Sequence, residues 1–186
     1  MEYSKRELAL VFKELEERGV DATIIGNTSV ELALGREVFE GDLDLFIVNP
    51  SPIAEKKFFE KMAEDLNWEI SSTEIGTPSL LIPLEKGNLI VELYENYMDL
   101  EIPIEIIEDR VEYRVNGVKV KSIKPEYYLV LKARQGVDLD KLEKYISSLK
   151  QRSLNTKLVE YAASLYPEDE RELIMERLRS CGLYIT

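Results

Sequence analysis

Histidine is absent from this chain of 186 residues. Its absence removes the Ser-His-Asp and Cys-His nucleophile arrangements and the histidine-bearing zinc motifs. A single cysteine, Cys181, excludes an intrachain disulfide framework and a cysteine-clustered zinc site. No apolar run reaches the ~18 residues that a membrane span needs. The first residues, Met1 to Glu7, run into an amphipathic helix without the apolar stretch of a signal peptide. The expectation is a cytoplasmic protein. Glutamine occurs only at 135 and 151, beside 32% charged residues, a composition that leans toward a thermophilic source. Basic residues are outnumbered, with 24 Lys and Arg against 36 Asp and Glu, a formal charge of −12. Such a net field does not coat duplex DNA, because that binding is driven by cations neutralising phosphates. A local basic patch around a site stays open. Any catalysis must come from carboxylates, Lys, Arg, Tyr, hydroxyls or bound metal.

What is present suffices for one domain with a full core: apolar residues make up 45% of the chain. Ser4 with Glu7 three positions later has capping-box form, and Leu8, Val11, Phe12 and Leu15 follow at helical spacing up to a stop at Gly19. A short strand is expected over 20–25, a helix over 28–34 and a loop over 35–41. Ser51-Pro52 reads as a cap and first helical position, opening a helix that runs to about 66. Strands follow over 68–74, 79–83 and 89–94, and 102–107 reads as another extended piece. Asn116-Gly117 between two short apolar runs is a hairpin signal. Beyond Lys124-Pro125 the pattern turns helical, over 125–134, 138–149, 154–165 and 167–180, with Asp138 as an N-cap. The expected class is α+β, a mixed α/β sheet with a helical C-terminal lobe. The expected division is 1–123 for the sheet domain and 124–186 for the lobe.

Gly41-Asp42-Leu43-Asp44-Leu45-Phe46-Ile47-Val48 carries the chemistry. Strand side chains alternate faces, so Asp42 and Asp44 share one side, ~6–7 Å apart, and Leu43 and Leu45 share the other. Carboxylates that close repel unless a cation or proton lies between them. A hard divalent ion with oxygen ligands, Mg²⁺ above all, meets that need. Two solvated acids at the start of a strand would look the same. Upstream, the expected strand ends at Gly26, and Asn27-Thr28-Ser29 open a helix. Free N–H groups at such a turn suit phosphate, and glycine lets backbone approach a ligand. An ordinary strand–turn–helix junction with a polar cap fits the same residues.

Together these segments resemble the nucleotidyltransferase superfamily of the polymerase-beta type, and in particular small prokaryotic nucleotidyltransferase-like proteins. The family pattern is a hydrophobic strand, Gly-Ser or Gly-Gly, a short helix, a strand with Asp-x-Asp, and a third acid on another strand. Here Gly26, Asp42 and Asp44 match, and Glu92 within Leu89-Ile90-Val91-Glu92-Leu93-Tyr94 takes the third place. The likeness continues into Lys132 on the helix after Lys124-Pro125, spanning roughly 20–150. It implies Mg²⁺-dependent transfer of a nucleoside monophosphate from an NTP to an acceptor hydroxyl on protein, RNA or a small molecule. It assigns Asp42, Asp44 and Glu92 to catalysis and to two Mg²⁺ ions. It assigns Gly26, Asn27, Ser29 and Lys132 to the nucleotide. Asn27 stands where the family has Ser or Gly, and Glu92 where it has Asp. These departures keep a second reading open, a catalytically inactive nucleotide-binding or protein-interaction module of the same fold.

Overall fold

A computed structural model of the chain describes residues 1–185. In chain order the elements begin with β1 (Glu2–Ser4), α1 (Lys5–Glu17), β2 (Asp21–Ile24), α2 (Thr28–Ala33), β3 (Val38–Glu40) and β4 (Leu43–Asn49). They continue with α3 (Lys56–Leu66), β5 (Glu69–Ser72), β6 (Pro78–Leu84), β7 (Gly87–Tyr94), α4 (Ile104–Glu108), β8 (Val111–Val115) and β9 (Val118–Ser122). Four helices close the chain: α5 (Pro125–Gln135), α6 (Leu139–Lys150), α7 (Thr156–Ser164) and α8 (Glu168–Ser180).

Among the described residues seven strands form one sheet in the order β5-β6-β7-β4-β2-β9-β8. The pairs β4–β7 and β2–β9 are parallel and the others antiparallel, so the sheet is mixed. Alternation along β4 and β7 separates two environments. Leu43, Leu45, Val91 and Leu93 point into a core with Leu8 and Phe12 of α1 and Phe59 and Met62 of α3. The opposite face carries Asp44 and Phe46 on β4 and Glu92 and Tyr94 on β7. Phe46 and Ile25 join a second core built with Ile106 of α4 and the C-terminal helices, through Tyr127, Leu129, Ile146 and Leu178. The sheet thus has helices on one face and a helical wall opposing the acidic face. The chain is an α+β fold with a mixed sheet, as expected.

The local signals act as their chemistry requires. Ser4 accepts from the Glu7 N–H while the Glu7 side chain accepts from Ser4, closing the capping box of α1. Asn116 and Gly117 both take positive φ, 48° and 79°, as a tight hairpin between β8 and β9 needs. Pro125 opens α5, and Gly136 ends it at φ 72°.

Three expectations need correction. Residues 102–107, expected extended, hold helix α4, which starts after Pro103 and turns Ile106 and Ile107 inward. The helix expected to open at Ser51 opens at Lys56, after a turn in which Ser51 Oγ and the Ile53 N–H both donate to Glu95 Oε1. The expected loop over 35–41 contains β3, paired antiparallel with β1 through Tyr3↔Phe39. The Gly41 N–H donates to the Met1 carbonyl at 2.9 Å, so the chain start braces the approach to Asp42.

Candidate active site

Asp44 and Glu92 are register partners on the parallel pair β4 and β7. Their side chains emerge side by side on the same face. Burial, and after it the facing Glu92 charge, push the Asp44 carboxyl far above the usual carboxylate range. Asp42 lies just before β4, and burial followed by the Glu92 charge raises it as well. Tyr94, two residues along β7, donates its hydroxyl to Glu92 Oε2 at 2.5 Å.

Gly26 follows β2 and sits against this pair. The Ile25 N–H donates to the Asp44 carbonyl at 3.0 Å, which draws the end of β2 onto β4. A Cβ at Gly26 would overlap Asp44 Oδ2 and lie 3.0 Å from the Asp44 Cβ, so only glycine leaves the carboxylate its place. Asn27 is buried, and its amide donates to the Glu40 carbonyl at 2.8 Å. Ser29 is fully buried, and its hydroxyl donates to the Gly26 carbonyl at 2.7 Å, within the turn.

A cleft of about 560 Å³ opens over these residues. Gly26, Asn27, Asp44, Glu92 and Tyr94 line its sheet side, and Tyr128, Lys132, Arg134 and Lys141 line its helical side. The structure therefore brings Gly26, Asn27, Asp44, Glu92 and Lys132 to one cavity. Ser29, buried within the turn, and Asp42 are not part of its lining. Lys132 is only 11% exposed, and its ammonium is 3.4 Å from Asp138 Oδ2. Asp138 holds the N-cap position of α6, but its carboxylate makes no cap hydrogen bond there. Lys141 is the cation that sequence reading passed over. Lys132 and Arg134 have carboxylate partners, whereas Lys141 forms no such ion pair among the described residues. Its charge favours the ionised forms of both Asp42 and Asp44. The sequence signal for it was its place beside the apolar stripe Leu139, Leu142, Ile146 and Leu149.

Among the described residues no group of three or more His, Cys, Asp or Glu is already arranged to hold a metal ion. The donor chemistry nevertheless fits one. Two adjoining carboxylates with a third beside them supply hard oxygens, and their mutual repulsion is what a divalent cation relieves. Among the described residues no helix is long and apolar enough to cross a membrane.

The fold has known relatives. An antigenic nucleotidyltransferase-like protein from Paracoccidioides brasiliensis superposes with a TM-score of 0.60 at 15% identity, covering 98% of this chain and 91% of that one. The structure of ANT(2'')-Ia in complex with adenylyl-2''-tobramycin superposes with a TM-score of 0.50 at 16% identity, covering 95% and 97%. No curated protein sequence matches the chain. The model of the family described as "Nucleotidyl transferase of unknown function (DUF2204)" matches residues 4–180, so the chain belongs to that nucleotidyl transferase family.

Proposed function

We propose that this protein transfers a nucleoside monophosphate from a nucleoside triphosphate to an acceptor hydroxyl, with Mg²⁺ held by Asp44 and Glu92 and assisted by Asp42. One observation carries the reading: Asp44 and Glu92 are paired on adjoining parallel strands, with Gly26 packed against Asp44. Bound divalent cations would neutralise the triphosphate and lower the pKa of the attacking hydroxyl. The chain's own residues do the rest. Lys141 and Lys132 face the acids from the helical wall and meet the phosphate oxygens. Gly26 keeps side-chain bulk out of the space beside Asp44. Tyr94 fixes the rotamer of Glu92 through its hydroxyl. Tyr128 and Leu131 add an apolar surface against which a base can lie. Positioning and electrostatics account for the rate in such a site. The remaining lining includes Glu74, Asp99 and Glu101. These acids repel a polyanion, which favours a small-molecule or protein acceptor over RNA.

Labelled NTPs incubated with the protein, candidate acceptors and Mg²⁺ test this, with ATP binding measured in parallel by calorimetry. Transfer or ATP binding that needs the divalent ion, and that Asp44→Asn abolishes, supports the proposal. A protein that binds no nucleotide with any divalent ion sinks it.

A second reading, a nucleotide-binding module without turnover, draws on a specific observation. Tyr94 donates to Glu92, so that acid has a partner within the protein. ATP binding without transfer to any acceptor favours it.

A further inference from the structure

Glu31 is a carboxylate with a side chain 0% exposed, and the chemistry above does not use it. A buried carboxylate is costly unless every lone pair finds a donor. Its donors come from three separate segments. The Glu40 N–H donates to Oε2 at 3.1 Å. The Tyr145 hydroxyl of α6 donates to Oε1 at 3.0 Å, and Arg36 donates to the same oxygen at 3.2 Å. The Glu40 carbonyl is held as well, accepting from the Asn27 amide at 2.8 Å. Glu40 lies two residues before Asp42. Tyr145 lies one helical turn after Lys141, on the neighbouring part of α6. The Tyr145 ring packs edge-on against Tyr128 at 5.7 Å between centroids, and Tyr128 lines the cleft.

We propose that Glu31 is a positioning residue that ties the approach to Asp42 and Asp44 to helix α6, so that the acids and Lys141 stay on facing walls of the cleft. The role rests on the nucleotidyltransferase reading for its catalytic consequence, but the tie itself does not. A carboxylate suits the task because it accepts from an amide, a phenol and a guanidinium at once. A glutamine would turn an N–H₂ toward Tyr145 or Arg36 and lose the ion pair. The network joins α2 to α6 by a direct contact between Glu31 and Tyr145, and neither residue lines the cleft. It therefore sets the spacing of the acids and Lys141 without contacting substrate.

The test uses the full chain with Glu31→Gln and Tyr145→Phe. Tyr145→Phe keeps the ring against Tyr128 and removes only the hydroxyl, so it folds even if Glu31→Gln does not. Hydrogen exchange is read first. The expected result is exchange at least fivefold faster in both 36–42 and the first turns of α6, for either variant. ATP affinity and transfer are read second, at a temperature where the variant is fully folded. Tyr145→Phe is expected to raise the KM for the nucleotide about tenfold, and Glu31→Gln to lower kcat about tenfold. The double variant should be no worse than the poorer single one. Faster exchange on one side of the cleft only overturns the proposal. So does a loss of activity that follows the folded fraction and is restored by a stabilising osmolyte. A wild-type protein that neither binds ATP nor transfers it sinks the functional reading instead, and the exchange result then judges the tie alone.

Discussion

Asp44 of β4 and Glu92 of β7 occupy paired positions on parallel strands, so two acids share one face. The arrangement costs stability that nothing in the core returns. Asp44→Asn is expected to remove that repulsion and raise the stability of the metal-free protein at pH 7 by about 1–2 kcal/mol, a few degrees in Tm. The same change should abolish transfer, by 100-fold or more. Thermal denaturation in chelator, set beside a transfer assay, checks both. A variant that is both less stable and fully active would mean that the pair is not a site.

Gly26 makes a sharper claim about geometry. Adding one methyl there drives a Cβ into Asp44 Oδ2. Gly26→Ala is expected to cost about 1–3 kcal/mol by overpacking and to cut transfer at least tenfold. The cost should shrink in the Asp44→Ala background, where the clashing atoms are gone. Denaturant titrations of the two single variants and the double variant measure it. Equal costs in both backgrounds would place the clash elsewhere.

Lys141 faces the acids without a carboxylate partner of its own among the described residues. Lys141→Met should weaken nucleotide binding about tenfold, with a smaller effect on kcat and a Tm within a few degrees of wild type. Lys132→Met should cost less, because Lys132 is already shared with Asp138 and Gln135. Calorimetric titration with ATP, run for both variants, compares them. If Lys132→Met weakens binding more than Lys141→Met, Lys132 rather than Lys141 is the principal phosphate contact.

Much of this was legible in the chain because the signals are local. The period-2 alternation from Leu43 to Ile47 placed Asp44 opposite the core without any tertiary information. The capping box at Ser4 and the Asn116-Gly117 turn behaved likewise. What escaped depended on distant partners. Strand β3 is three residues long and exists only because it pairs with β1 at the chain start. Helix α4 hides inside an apolar run that suits strand and helix equally, and Pro103 at its N-cap decides between them. Helix α2 is buried nearly all round, so its periodicity does not reveal that Glu31 faces inward while Leu34 is only half-buried. Lys141 and Tyr145 could be placed only once α6 was seen packed across the cleft.

Asp21 shows how charge outside the cleft sets acid tolerance. It begins β2, and its two oxygens meet Arg110 at 3.0 Å each while Lys121 donates to Oδ1 at 2.9 Å. Burial works against the carboxylate, yet the hydrogen bonds and charges of Arg110 and Lys121 outweigh it and hold the group below its ordinary value of 3.8. The folded protein therefore binds fewer protons here than the unfolded chain does. The clamp contributes stability above the unfolded value and loses it as pH falls through the folded one. Asp21→Asn should cost about 1 kcal/mol at pH 7, an allowance already reduced because the group is partly exposed. The difference from wild type should narrow steadily once the pH drops below the ordinary carboxylate value. Transfer at 25 °C should be unchanged, because the clamp lies outside the cleft lining. Urea titrations at pH 7 and in strong acid measure the gap, and a gap of the same size at both would mean that Asp21 acts through shape rather than charge.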